Sequence, residues 1–199
     1  MNELKEKSSA GLTTAFLTFF VLFFNFESRG QMPQLFTEEV LSLTLSGDLK
    51  TVFKDRGDDS QYHPAELSYF SDQKKVSIPL KIKTRGNFRK SASNCKYPPL
   101  MLNFPKSEVI VNTLFAGQNK MKLVTPCQGD EYTIHEYLVY KLYNLFSPQS
   151  FQAQLLKISF QDTLKRKKAS TYYSLLLENE DQMAQRNQAL LFEKIGYKP

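Results

Sequence analysis

The segment from 119 to 179 decides the reading of this chain: NKMKLVT at 119–125, EYTIHEYLVYKLYNLF at 131–146, QLLKISF at 154–160 and TYYSLLLE at 171–178. The pattern predicts strand, helix, strand, strand. For the helix, Gly129-Asp130 supplies an N-cap signal, and Glu131 sits in the first turn, where the helix dipole favours an anion. Ile134, Leu138, Leu142 and Leu145 recur at i, i+4, i+8 and i+11 and form one stripe. Tyr132, Val139, Tyr140, Tyr143 and Phe146 fill much of the rest, so the helix is expected to be buried on more than one side. Ser147-Pro148 ends it, because the residue before proline avoids the α region. Glu136 lies among Tyr132, Tyr140 and Tyr143. It either points to solvent or requires a partner, for which Lys122 on the preceding strand is one candidate.

Working outward, the composition bounds the function. The 199 residues are 41% hydrophobic, with 16 Phe, 10 Tyr and no Trp. That is enough for a core in a single domain or one lobe of a larger one. The net charge of +6 suits an anionic ligand or surface. No aromatic-interleaved basic motif marks a nucleic-acid binder. The run 12–26 is apolar and Phe-rich, follows Lys5 and Lys7, and is shorter than the roughly 20 residues of a spanning helix. Residues 1–30 therefore read as an export signal cut after Gly30, or as a retained membrane anchor acting through residues 12–26. Residues 31–199 form the folded part. Export makes a Cys95–Cys127 bridge reasonable. The alternative is two buried free thiols. Neither cysteine lies in a zinc-type pair.

Along the chain, Val40 to Ser46 alternates as a half-buried strand. Asp55 to Ser60 reads as a solvated polar loop, without the ligand spacing of a calcium loop. Ala65 to Phe70 and Val76 to Thr84 read as strands, the second with Pro79 at an edge or bulge. Arg85-Gly86-Asn87 is a turn, or a turn whose N–H groups and arginine approach a phosphate. Tyr97 to Phe104 is a strand entered through prolines. Lys165 to Lys168 is a solvated hairpin loop, and Glu180 to Phe192 is helix-like. His63 and His135 have no Ser or Cys in a nucleophile-elbow context, so a hydrolase triad is not supported.

Taken in order, several of these motifs resemble the spore-coat-protein-H (CotH) kinase-like family. They are Arg85-Gly86-Asn87, Lys96-Tyr97-Pro98-Pro99-Leu100, Leu114-Phe115-x-Gly117 with Lys120-x-Lys122-Leu123, Glu136 to Leu142, and Tyr172-Tyr173 with Leu175 to Glu178. They span roughly 76–179. The resemblance implies an atypical protein-kinase fold that transfers phosphate from ATP, with Mg²⁺, to protein serine. It implies Lys122 as the phosphate-holding lysine, Glu136 or Glu131 as its partner, Leu177, Glu178 and Asn179 as the hinge against adenine, and Arg85 and Asn87 in the turn motif. Kinase chemistry also needs a large lobe with catalytic and metal-binding aspartates. About twenty residues follow the hinge here, so the chain is expected to be a small lobe truncated before its large lobe. It would be inactive alone, with no catalytic residue of its own, and its partners would be the missing lobe or a protein substrate.

The expected fold is therefore α+β: a mostly antiparallel sheet with the Glu131–Phe146 helix packed centrally on one face, like an atypical kinase small lobe. The alternatives from other classes are an exported, non-enzymatic β-rich binding module and a membrane-anchored structural protein.

Overall fold

The computed structural model describes residues 35–106, 110–127, 129–164 and 168–191. The leader-like residues 1–30, the 12–26 apolar run within them, and residues 165–167 of the basic loop lie outside the described residues. The chain divides into two units, Met1–Met32 and Pro33–Pro199, and the fold is that of the second.

Seven strands form a closed barrel. They are β1 (Leu41–Gly47), β2 (His63–Ser71), β3 (Lys74–Thr84), β4 (Leu100–Asn103), β5 (Lys120–Val124), β6 (Ala153–Asp162) and β7 (Ser170–Leu177). Around the barrel their order is β1-β2-β3-β4-β5-β7-β6. Among the described residues the α-helices are α1 (Leu49–Lys54), α2 (Asp130–Phe146) and α3 (Glu180–Arg186).

Every neighbouring pair of strands is antiparallel except one. β1 runs parallel to β6, with Leu43 opposite Ile158 and Leu45 opposite Phe160. The parallel pair closes the sheet on itself. β2 and β3 form a hairpin in which Ser71 faces Lys74. Its two turn residues, Asp72 and Gln73, both have positive φ (48° and 63°), the geometry that matches the twist of tight hairpins. Pro79 faces Glu66 of β2 on a part of β3 that β4, pairing only with residues 81–84, does not reach. The missing N–H of proline therefore costs no ladder bond there.

Alternation along the strands fills the interior. Leu43, Leu45, Leu67, Ile78, Ile82 and Leu102 point in, as do Met121, Leu123, Leu156, Ile158 and Leu176, all buried in one cluster. Phe104 and Phe115 stack at 5.0 Å within that cluster. Gln154 also points in and is fully buried. It accepts from the Thr37 N–H at 2.6 Å and donates to the Glu39 carbonyl at 2.6 Å, so its amide is satisfied by the segment that leads into β1.

This architecture corrects the expected α+β sheet with a central helix. The core lies inside the barrel, enclosed by strands alone, and is not a kinase-small-lobe sheet covered by a helix. The physical reason is the β1–β6 pairing, which removes the open sheet face that a central helix would cover. Helix α2 lies on the outside, over a second cluster of Val124, Tyr137, Ala153, Leu155, Leu175 and Leu177. Only its Thr133 and Tyr137 are fully buried. The predicted stripe fails after its first member: Ile134 packs inward, but Leu138, Leu142 and Leu145 are 54%, 55% and 82% exposed. The helix-like stretch after Asn179 is shorter than expected, ending at Arg186.

The loop 55–60 is not merely solvated. Arg56 donates from Nε to the Phe53 carbonyl (2.6 Å), from Nη1 to those of Lys90 (3.1 Å) and Cys95 (2.8 Å), and from Nη2 to that of Lys96 (2.7 Å). One guanidinium thus ties α1 to the β3–β4 connection. Cys95 in that connection is bonded to Cys127, 32 residues on, with Cα atoms 4.7 Å apart. A loop of that length is stabilised by about 3–4 kcal/mol in the chain-entropy description. Replacing Arg56 by alanine leaves several loop carbonyls without their charged donor. We expect Arg56→Ala to lower the unfolding free energy by about 2–4 kcal/mol in a urea titration followed by circular dichroism. Arg56→Lys should recover little, because an ammonium cannot reproduce the planar fork. A loss below about 0.5 kcal/mol, the usual surface-substitution range, would contradict this role.

Candidate functional site

A cleft of about 360 Å³ lies between the outer wall of the barrel and α2. Three elements build it. Along β5, Met121 and Leu123 enter the core, so Lys122 and Val124 face outward into the cleft. On β7, Leu177 does the same. Helix α2 contributes Glu136 and Tyr140, one turn apart on the flank nearest the barrel. Asp130 fixes the start of this helix, its Oδ1 accepting from the Tyr173 N–H of β7 at 3.0 Å.

The third element is the turn after β3. Thr84 makes the last β3–β4 pair, with Leu100. The Arg85 N–H still reaches the Pro99 carbonyl at 2.9 Å. Gly86 then takes φ 84°, a conformation that side-chain-bearing residues avoid, and the backbone swings into the single 3₁₀ turn Phe88–Lys90. This swing brings Arg85, Asn87, Phe88 and Arg89 to the rim. Arg89 donates from Nη1 to Glu136 Oε2 at 2.8 Å and so clips the turn to α2.

The charges of the cleft are unevenly matched. Glu136 is held by Arg89. Lys122 is paired with Glu180 at the start of α3, and its Nζ lies 5.3 Å from the centroid of the Phe151 ring. Burial works to raise the Glu180 carboxyl, but the Lys122 hydrogen bond and the nearby positive charges leave it below the usual glutamate value. Arg85 is half-buried and has no hydrogen bond or ion pair from its side chain among the described residues. Burial pushes its guanidinium below the usual arginine value, and Glu180 and Tyr140 act in the opposite sense. Burial, with the Glu136 charge adding to it, raises the Tyr140 phenol. The result is a site with one unneutralised cation, two neutralised ones, and apolar walls from Phe88, Phe151, Val124 and Leu177.

The structure gathers five of the eight residues singled out for cofactor binding: Arg85, Asn87, Lys122, Glu136 and Leu177 all line the cleft. It does not pair Lys122 with Glu136, since each has another partner. The other three lie elsewhere. Glu131 is exposed in the first turn of α2. Asn179 caps α3, accepting from the Asp181 N–H at 2.9 Å and donating to the Lys120 carbonyl at 3.0 Å. Glu178 is buried and forms a fork with Arg186, Nε to Oε1 at 3.0 Å and Nη2 to Oε2 at 2.8 Å, while also accepting from the Gln152 N–H. Arg89, Tyr140, Phe151 and Glu180 belong to the site but were not picked out from the sequence. They come from four separate elements, and no local spacing links them. Among the described residues, no group of three or more His, Cys, Asp or Glu is placed to hold a metal ion.

No family model matches this chain, and no curated protein matches it.

Glu178 and Arg186 weld β7 to α3, and Arg186 reaches on to the Pro148 and Ser150 carbonyls, both at 2.8 Å. Glu178→Ala strands that guanidinium beside a buried site. We expect a loss of about 2–4 kcal/mol in urea denaturation, below the full cost of breaking a wholly buried pair because Arg186 keeps its carbonyl acceptors. An unchanged midpoint would assign the ion pair no structural weight.

Proposed function

We propose that this chain is a non-enzymatic binding module whose cleft takes a small ligand with an anionic group and a planar or apolar portion. The observation that carries the reading is Arg85: a half-buried guanidinium with no side-chain partner among the described residues, facing a cleft. A charge partly withdrawn from water without a hydrogen-bonded counter-ion is costly, and an anion arriving there reduces that cost. Arg89 and Lys122 add positive potential from behind their ion pairs, and the backbone turn at Gly86-Asn87 offers N–H groups to the same anion. Phe88 and Phe151 suit a planar partner.

The ligand class we put forward is a phosphate-bearing nucleotide, with ATP as the probe. The residues present fit its phosphates through Arg85 and Lys122 and its base through the aromatic wall. They fit Mg²⁺ less well, because Glu136 and the neighbouring Glu180 are each already held by a basic side chain. Phosphoryl transfer to protein serine, implied by the CotH resemblance, would need the catalytic aspartates of a large lobe, and among the described residues the carboxylates at the cleft, Glu136 and Glu180, are held by Arg89 and Lys122. Export is proposed on the charged start and the apolar run of residues 1–30 and is supported by the Cys95–Cys127 bridge, since such bonds persist in oxidising compartments.

Isothermal titration of the full chain with ATP, with and without Mg²⁺, tests the reading, and pyrophosphate serves as the base-free probe. Binding should weaken about tenfold or more in Arg85→Ala, the loss of a charge-assisted hydrogen bond to phosphate. Equal affinity in the variant, or no binding of either probe to the wild type, would overturn the proposal. Release of inorganic phosphate from ATP would replace it with a catalytic one.

A further inference from the structure

Helix α2 faces the wrong way round for a helix on the surface of a monomer. The side it turns to the barrel carries Thr133 and Tyr137, with Asp130, Ile134 and Tyr140 half-buried beside them. The side it turns outward carries Leu138, Val139, Leu142, Tyr143, Leu145 and Phe146, all more than half exposed, up to 82% for Leu145. At about 100° per residue these six fall on one arc of less than half a turn. Tyr132, 61% exposed, extends the arc toward the N-terminus.

We infer that this face is a two-fold interface with a second copy of this chain, α2 packing antiparallel on α2 with Val139 at the crossing point. Three features support a second copy over other occupants. The first is area. Seven large side chains on one arc, each more than half exposed, make a patch at or above the roughly 300–600 Å² of a typical monomer's largest and of the order of the ~800 Å² that each partner gives to a standard interface. The second is charge. The outward arc holds only Glu131 and His135, both near its start, and no Lys or Arg. Lipid-surface helices carry basic residues beside their apolar face. Here the helix's one lysine, Lys141, is turned aside and paired with Glu38 at 2.5 Å, and Glu136 on the opposite flank is paired with Arg89. An apolar strip bordered by satisfied ion pairs is the anatomy of a protein interface. The third is self-complementarity. A two-fold axis at Val139 sets Tyr132 of each copy opposite Phe146 of the other and His135 opposite Tyr143, with Leu138 and Leu142 beside the axis, as an isologous contact requires.

Sedimentation equilibrium and thiol cross-linking of the full chain test this. Among the described residues there is no free cysteine, so Val139→Cys introduces a single reactive thiol at the proposed axis. The wild type should be dimeric at micromolar concentration, and Val139→Cys should cross-link to a dimer on mild oxidation. Phe70→Cys, equally open on β2 at 75% exposure, should not. Leu142→Glu, checked for retained folding by circular dichroism, should weaken the dimer at least about thirtyfold, as a central interface residue would, whereas Phe70→Glu should leave it unchanged. All variants share residues 1–34, so differences among them report on α2 alone. A monomeric wild type, a dimer that survives Leu142→Glu, or cross-linking of Phe70→Cys as strong as that of Val139→Cys would overturn the inference. So would a monomer that co-sediments with phosphatidylcholine–phosphatidylglycerol vesicles and loses them on Leu142→Glu, which would assign the face to lipid.

Discussion

The parallel ladder between β1 and β6 is the constraint on which the other features of this fold rest. Six of the seven strand contacts are antiparallel; five of these join strands consecutive in sequence, and the sixth pairs β5 with β7 across α2 and β6. The β1–β6 contact instead joins residues more than a hundred positions apart, over seven registered pairs from Leu41 with Leu156 to Gly47 with Asp162. Without it the sheet would end in two free edges, each a row of unpaired N–H and C=O groups open to other chains. With it the sheet has no edge, and the inward-facing leucines and isoleucines of the strands converge on one interior cluster. The Gln154 amide, buried at the mouth of the barrel and bonded to the segment entering β1, holds the same seam from inside.

Closure also decides what is left outside. A barrel needs no helix to cover its core, so α2 is relegated to the outer wall, where the outward residues of β5, β6 and β7 meet its flank. The cleft exists because α2 stands off from that wall where the β3 turn intrudes between them. Its polarity follows from strand alternation: the same period that sends Leu123 inward sends Lys122 out. Its charge balance follows from tertiary pairing, with Arg89 and Lys122 each neutralised across elements while Arg85 is not. The disulfide and Arg56 hold the β3–β4 connection from its other side, so the turn carrying Arg85 is fixed at both ends.

Local periodicity in the sequence carried most of the elements and little of their assembly. The alternation in Val40 to Ser46 and Val76 to Thr84 and the proline stop at Ser147-Pro148 were legible, because each depends on neighbours a few residues away. The closure was not: nothing in the alternation of β1 says whether it lies at an edge or pairs in parallel with a strand a hundred residues later. The reading of α2 failed for a related reason. A helix apolar on most sides is expected to be buried on most sides, yet the barrel accepts only the flank around Thr133 and Tyr137, and Leu142, Leu145 and Phe146 face away from it. At the site, Arg85, Lys122 and Glu136 could be named from motif and element order. Their partners, Glu180 for Lys122 and Arg89 for Glu136, could not, since side-chain pairing across the fold leaves no mark in spacing.

Amide hydrogen exchange along β1, read residue by residue by NMR, tests the closed barrel most directly. Over Thr44–Gly47 the strand has a neighbour on both sides, β2 and β6. The account predicts that consecutive amides across that stretch are all protected, exchanging only through large-scale opening. A pattern in which every second amide exchanges orders of magnitude faster than its neighbours is that of a free sheet edge, and it would contradict closure by β6.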